Sequence, residues 1–352
     1  MKKIFVLSTF VLLIALLLPL VLVPGFYFYR PAESEPSVSP EPSPTQSPIP
    51  TSTPTLPLIA PIQGLDASLS LSVLLGGDIV QMSMEEYLLG VVAAEMPARF
   101  HPEALRAQAI AARTYTLYRM LLEPAARHPN AYVCGAYTCC KAYHSPERLR
   151  ERWGSGFDDY LALIQEAISS TDGIILLFED MPILAAFHSS SYGFTEASGA
   201  IWGDLPYLQS VESFESVYDV PRFYDVTTLS FAQFREIVQT SLSGTNLNDD
   251  NIPDWISDIE HTPSGRLAGV NLGGFFVTGA EFRRMFSLRS AHVTLSFDEH
   301  GVTISTGGYG HGVGMSQFGA NTMAHMGYDF SEILLWYYSG VHLGHFDILF
   351  DS

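Results

Sequence analysis

One carboxylate and one cysteine cluster are the residues of this chain best placed to do chemistry. Glu95 sits in "GVVAAEMP" (90–97), an otherwise apolar run that ends in Met-Pro. On a helix, counting back from Glu95 gives Val92, Val91 and Leu88, the stripe expected to face the core. A charged group there costs several kcal/mol unless it is neutralised or paired. Three readings follow: a surface residue, half of a buried ion pair, or an acid whose pKa desolvation raises towards neutrality. Arg113, in the small-residue stretch "AQAIAARTY", is the obvious partner for the second.

All three cysteines fall within "HPNAYVCGAYTCCKAYH", as Cys134, Cys139 and Cys140. A bridge between the neighbours Cys139 and Cys140 would be strained. His128 with the three cysteines offers one imidazole and three thiolates, the closed ligand set of a structural zinc. His144 is a spare candidate for the imidazole. A disulfide through Cys134 and free thiols are the other readings. A closed site has no open position for water, so its expected role is to stiffen the loop.

Longer-range patterns show what must position these groups. Lys2 and Lys3 precede an apolar run over 4–23, long enough to cross a bilayer. Residues 1–30 are therefore expected to be an uncleaved membrane anchor, with a cleaved signal and a secreted product as the alternative. Residues 31–63, rich in Pro, Ser and Thr, read as a disordered spacer. From residue 64 to 352 the composition is globular. The chain is 47% hydrophobic and carries a net charge of −19, which argues against binding nucleic acid through phosphates.

Within the globular part, "SLSLSVLLGGDIVQM" reads as strands around a Gly-Gly turn. "SMEEYLLGVVAAEM" reads as a helix with a Ser83–Glu86 capping box. A longer helix begins at Pro102 and closes before Pro124. "DGIILLFEDMPILAAFHSSS" reads as a hairpin of two buried strands. A further helix at "SFAQFREIVQTSL", strands and a short helix over 265–286, and a strand pair over 292–306 follow. A glycine-rich loop and two short helices end the chain. Strands and helices alternate without a βαβ rhythm, so the expected fold is α+β, in a single extracytoplasmic domain.

Three blocks, in this order, carry a family resemblance. They are "MEEYLLGVVAAEMPARFHPEALRAQAIAARTYTLYR", "AAFHSSSYGFTEASGAIWGDLPYLQSV" and "GYGHGVGMSQFGANTMAHMGYDFSEILLWYYSGV". The globular part, from about residue 74 to 342, resembles the stage II sporulation protein D family, which includes amidase enhancers. The resemblance implies a lytic transglycosylase that cuts peptidoglycan glycan strands, preferring strands stripped of stem peptides. It implies that Glu95 of the "AAEMP" block is the catalytic acid. Some members bind zinc through a His, Cys, His-Cys set; here Cys139 stands where the second histidine would be. Sporulating relatives work with a partner amidase and a membrane scaffold protein.

Arg113, His188, Ser189, Ser190, His311 and Gln317 are the candidate substrate-binding residues. "GGYGHGVGMSQFGA" lacks the phosphate-loop pattern. His311 and Gln317 are expected either to bond glycan groups or to satisfy buried backbone. "FHSSSYG" follows a buried strand and lacks a nucleophile elbow. Tyr192 departs from the small residue usual in the family, so the cleft is expected to differ near it. Two other functions compete with the transglycosylase. One is a non-catalytic glycan-binding enhancer of an amidase; the other is a zinc hydrolase with a catalytic cysteine cluster.

Overall fold

The computed structural model of the protein describes residues 59–122, 128–248, 252 and 254–350. The apolar leader and most of the Pro/Ser/Thr-rich stretch lie outside these residues. Among the described residues, no helix is long and apolar enough to cross a membrane.

Strands β1 (Ser70–Leu75) and β2 (Asp78–Ser83) form the expected hairpin. Gly76 and Gly77 turn it with φ of 62° and 103°, where side chains are disfavoured. Ser83 then caps α1 (Met84–Glu95) through a complete capping box with Glu86. Helix α2 (Pro102–Leu122) is the spine of the main body. Ala104, Ala107, Ala109, Ala111 and Ala112 are buried along it, so neighbours can approach on several sides. It packs against α1, α4 (Phe157–Ser169), α7 (Gln317–His325), α8 (Phe330–Tyr337) and strand β4 (Ile174–Phe178). Thr114 Oγ1 donates to the Ile110 carbonyl within α2 and accepts the Leu176 N–H from β4.

The expected hairpin after residue 172 is shorter than its pattern suggests. β4 pairs with β5, only Met181–Pro182, on one edge and with β14 (His342–His345) on the other. The chain then turns away. β6 (Phe187–His188) pairs in parallel with β13 (Met315–Ser316), so the serine block meets the glycine-rich block.

Residues 224–307 build a smaller lobe with its own core around Phe234, Trp255, Phe282 and Val302. It holds two three-stranded sheets: β7 (Tyr224–Ser230) with β11 (Val293–Phe297) and β12 (Gly301–Gly307), and β8 (Ile256–His261) with β9 (Leu267–Leu272) and β10 (Phe275–Thr278). Helices α5 (Phe231–Ser241) and α6 (Gly279–Met285) are both opened by capping boxes. The mixed composition of strands and helices is as expected.

Arg113 corrects an expectation. It does not reach Glu95, and it faces no substrate: it is fully buried. Its Nε donates to Asp66 Oδ1 at 2.7 Å, and its Nη1 donates to the Ile174 carbonyl at 2.9 Å. Asp66 lies on a single helical turn, Leu65–Ser68, whose backbone is clasped by the Asp172 carboxylate. Just before it, Ile62 N–H donates to the Asp172 carbonyl, and the His345 ring contacts the Ala60 carbonyl. Residues 60–62, read from sequence as the end of the spacer, thus hydrogen-bond to the body. Removing one partner of a buried ion pair leaves the other charge unpaired. Asp66→Ala is expected to cost about 3–5 kcal/mol of stability. Urea unfolding followed by circular dichroism measures it; a loss under about 1 kcal/mol would contradict the pairing.

Candidate functional site

Glu95 is the last residue of α1, and the extended backbone at Met96 followed by Pro97 ends the helix. Leu88, Val91 and Val92 are fully buried, but the stripe reaches the edge of the body at its last turn. Glu95 is therefore half-buried, not fully desolvated. Its Oε1 accepts the Ala142 N–H at 2.9 Å. Its Oε2 lies 3.5 Å from Gln317 Nε2, which is also 3.5 Å from Gln108 Oε1. Gln317, the first residue of α7, is brought together with Glu95, as a neighbour of the carboxylate.

The segment that supplies Ala142 is the cysteine loop. It docks on α1 where Gly90 leaves room. A Cβ at Gly90 would lie 2.2 Å from the Tyr143 ring and 2.8 Å from the His144 carbonyl oxygen, which accepts no such approach. The His144 N–H donates to the Gly90 carbonyl. Gly90→Ala should push this segment, and with it the Ala142 donor, away from Glu95. A cost of about 1–3 kcal/mol is expected. Thermal unfolding reads that loss, and unchanged stability would show the docking to be loose.

His128, Cys134, Cys139 and Cys140 gather at the base of this loop, with their ligand atoms all within 4.8 Å of one another. His128 Nε2 is 3.3 Å from Cys139 Sγ and 3.4 Å from Cys140 Sγ. Two ligand atoms on a tetrahedral zinc stand roughly 3.6 Å apart, given bond lengths of about 2.0–2.3 Å. The donor set and spacing fit such an ion. The cysteines are not bridged. β3 (Val133–Cys134) places Cys134 in register with Leu74 of β1. Burial pushes the Cys140 thiol up to about 12, and Cys134 and Cys139 beside it add to the rise. A cation is what would let these sulfurs ionise together. His144 is not in the group; its ring faces Arg152.

A cleft of about 670 Å³ opens beside the loop, lined among others by Tyr115, Arg119, Tyr137, Lys141, Trp202 and His311. Glu95 is not part of this lining; its donor Ala142 is the residue after the lining residue Lys141. Tyr137 is 81% exposed and Trp202 49%, so both offer ring faces to a ligand. Lys141 was missed by sequence reasoning, which stopped at the cysteines before it. Its Nζ lies 3.4 Å from the Phe187 ring centroid and 4.2 Å from that of Tyr115. Burial pushes this ammonium down to about 8, against the pull of the Glu95 carboxylate.

The histidines of the other two blocks serve the backbone. His188 is buried. Its Nδ1 donates to the Val313 carbonyl at 3.2 Å, and its Nε2 accepts from Ser191 Oγ at 2.7 Å. Burial holds it well below the usual imidazole range. His311 Nδ1 accepts the Val313 N–H at 3.1 Å. Burial pushes its pKa down to about 3, with Lys141 adding to the shift, so near neutral pH it is a neutral ring on the cleft wall, edge-on to Trp202. Ser190 is buried, and its N–H bonds the Tyr309 carbonyl. Ser189 is half-buried, and its carbonyl accepts the Phe318 N–H. Neither serine lines the cleft described above. A buried carboxylate absent from the sequence reading, Glu215, ties the blocks together: it accepts from Ser191 N–H, Ser213 Oγ and Ser316 Oγ. Tyr192 stacks on Phe223, meets the His292 ring at a tilt, and is not among the cleft-lining residues.

Comparison with known proteins agrees with these elements. The family model described as "Stage II sporulation protein" matches residues 77–178, from the first hairpin through α1, α2 and the cysteine loop to β4. The chain is 36% identical over 273 residues to stage II sporulation protein D of Bacillus amyloliquefaciens, covering 76% of each chain. It is 35% identical to stage II sporulation protein D of Bacillus subtilis (strain 168) over the same share of both. It is also 29% identical over 316 residues to the amidase enhancer of that strain, covering 73% of this chain and 40% of the relative.

Proposed function

The chain belongs to the stage II sporulation protein D family, and on that premise we propose that it is a membrane-anchored lytic transglycosylase of peptidoglycan. In this reading the catalytic domain lies outside the membrane on its Pro/Ser/Thr-rich spacer. It cleaves the bond between N-acetylmuramic acid and N-acetylglucosamine in strands stripped of peptides, in cell-wall remodelling of the sporulation type. Its partners are a cell-wall amidase and a membrane scaffold protein.

The observation that carries the reading is the setting of Glu95. Its carboxyl is held on one oxygen by the Ala142 N–H, lies beside Gln317, and stays half-open to solvent next to an aromatic-lined cleft. One group of this kind suffices for a transglycosylase. Glu95 protonates the bridging oxygen as the glycosidic bond breaks. The resulting carboxylate then takes the proton of the muramic C6 hydroxyl, whose oxygen closes onto C1 as a 1,6-anhydro ring. The internal hydroxyl replaces a bimolecular nucleophile, so proximity lowers the barrier. A hydrolase would need a second carboxylate to direct water. Asp204 lines the cleft and is the candidate for that rival role.

The cysteine cluster supports a structural zinc held by His128, Cys134, Cys139 and Cys140. It would clamp the loop that carries Lys141 and Ala142, with no step of the reaction passing through it.

Mass analysis of products tests the reaction. Peptide-free strands digested by the full chain should end in anhydro-muramic acid, about 20 mass units lighter than an end reduced after hydrolysis. Asp204→Asn should still give anhydro ends. Hydrolytic ends that vanish in Asp204→Asn would reject the mechanism. The similarity to an amidase enhancer supports one second reading, a non-catalytic glycan-binding partner. Strands that bind but stay intact, while a cell-wall amidase is accelerated, would favour it.

A further inference from the structure

Lys141 is more than nine-tenths buried, yet it lines the cleft. Its ammonium is packed against the Phe187 and Tyr115 rings, and among the described residues no oxygen accepts a hydrogen bond from it. An ammonium has three donors. Between these rings its acceptors must come from the cleft, from water or from a ligand, and a carboxylate there would reinforce the pull of Glu95 on the ammonium. The chain carries a net charge of −19, and still two cations, Lys141 and Arg119, line this cleft against one carboxylate, Asp204. The cleft is therefore built for an anion on a ligand that also presents flat faces to Trp202 and Tyr137. Lys141 adjoins Ala142, whose N–H holds Glu95, so the anion would lie close to the bond that Glu95 is proposed to protonate.

We propose that Lys141 determines specificity by receiving the lactyl carboxylate of muramic acid. The inference rests on reading the cleft as a peptidoglycan site. It names the atom by which a stripped strand is told from a peptide-bearing one. Where a stem peptide is attached, the lactyl group is an amide and carries no charge. Once the peptide is removed, it is a carboxylate and can take a charge-assisted hydrogen bond. Lys141 is then a reader of the product of an amide-cleaving reaction upstream.

The test compares two forms of one substrate: strands with free lactyl carboxylates, and the same strands with those groups converted to methylamides. Binding is measured by calorimetry on the full chain carrying Glu95→Gln, and cleavage on the full chain with Glu95 present. Hydrogen bonds to charged groups imply that free-acid strands bind roughly tenfold to a hundredfold more tightly. Lys141→Gln should erase that preference by weakening the free-acid strands alone, and Lys141→Arg should keep part of it. Equal affinity of the Lys141 protein for both strands would overturn the proposal. So would a Lys141→Gln variant that weakens both alike, the signature of a general effect on the loop or on Glu95. Should Lys141→Gln not fold, the two-strand comparison on the Lys141 protein decides alone. The two readings fail separately. Preference in binding without any cleavage would sink the transglycosylase and leave this inference standing; cleavage of both strands at equal rates would do the reverse.

Discussion

Glu95→Gln is expected to leave the protein folded and to lower the yield of anhydro-muramic ends by roughly a hundredfold to ten-thousandfold, the usual contribution of a positioned general acid and base. The substitution keeps the shape of the side chain. Its carbonyl oxygen can still accept the Ala142 N–H, and the remaining contact, to Gln317 Nε2, is a long 3.5 Å. Glu95 is half-buried at the end of α1, and the one buried group that feels its charge is Lys141, whose ammonium loses that pull in the variant. What is lost is the proton that the amide cannot give. Glycan binding should therefore persist while cleavage disappears. Circular dichroism, calorimetric titration and product mass analysis together read these effects. Cleavage within a few-fold of the unaltered protein would remove Glu95 from the mechanism, and a variant that unfolds would instead make Glu95 a structural acid.

Much of the scaffold around this residue was legible because its signals are local. The Gly76–Gly77 turn, the Ser83–Glu86 capping box and Pro102 at the start of α2 each act within a few residues. The spacing of His128, Cys134, Cys139 and Cys140 likewise announced a ligand cluster, and the four do converge. Two further helices had local signals that went unread. Ser145 and Pro146 open α3 (Pro146–Trp153), and Phe157, Ile164 and Ile168 recur along α4 at helical spacing. What was not legible depends on long-range pairing. Arg113 lies mid-helix on a core face, and nothing nearby says that its partner is Asp66, 47 residues away. Ala142 reaches Glu95 across the same separation by a backbone N–H, which leaves no trace in residue type. The aromatic walls around Lys141 come from α2 and β6, so its burial appears only once those elements meet. The parallel pairing of β6 with β13 hid the backbone role of His188 in the same way, whereas the bond from the Val313 N–H to His311 is local and was one of the two expected readings.

Stripping the zinc proposed for the cysteine cluster is expected to have the largest effect on stability and an indirect effect on activity. Structural zinc contributes about 10–16 kcal/mol of apparent binding free energy in small peptides, and much of that is folding energy of the ligand loop. Here the loop is a long, irregular stretch held at one end by two residues of β3. Its own backbone bonds are few: Cys139 and Cys140 N–H both turn back to the Ala136 carbonyl. Without a cation the buried Cys140 thiol is pushed up to about 12, so its sulfur gives the loop no charge to organise around. Ala142 and Lys141 follow directly from the last ligand. Loosening the loop removes the amide that holds Glu95 and moves the cation out of the cleft. Prolonged treatment with a strong chelator should thus lower the unfolding temperature by more than about 10 °C, given the usual shift of several degrees per kcal/mol, and cleavage should fall with it. Cys140→Ser should reproduce both losses. Because protons compete for the thiolates, metal release should quicken as the pH falls. Elemental analysis and calorimetry on the same samples check the account. A chelated protein that keeps its unfolding temperature but loses turnover would point to a metal acting in the reaction itself, and full activity with no bound metal would make the cluster a set of free thiols.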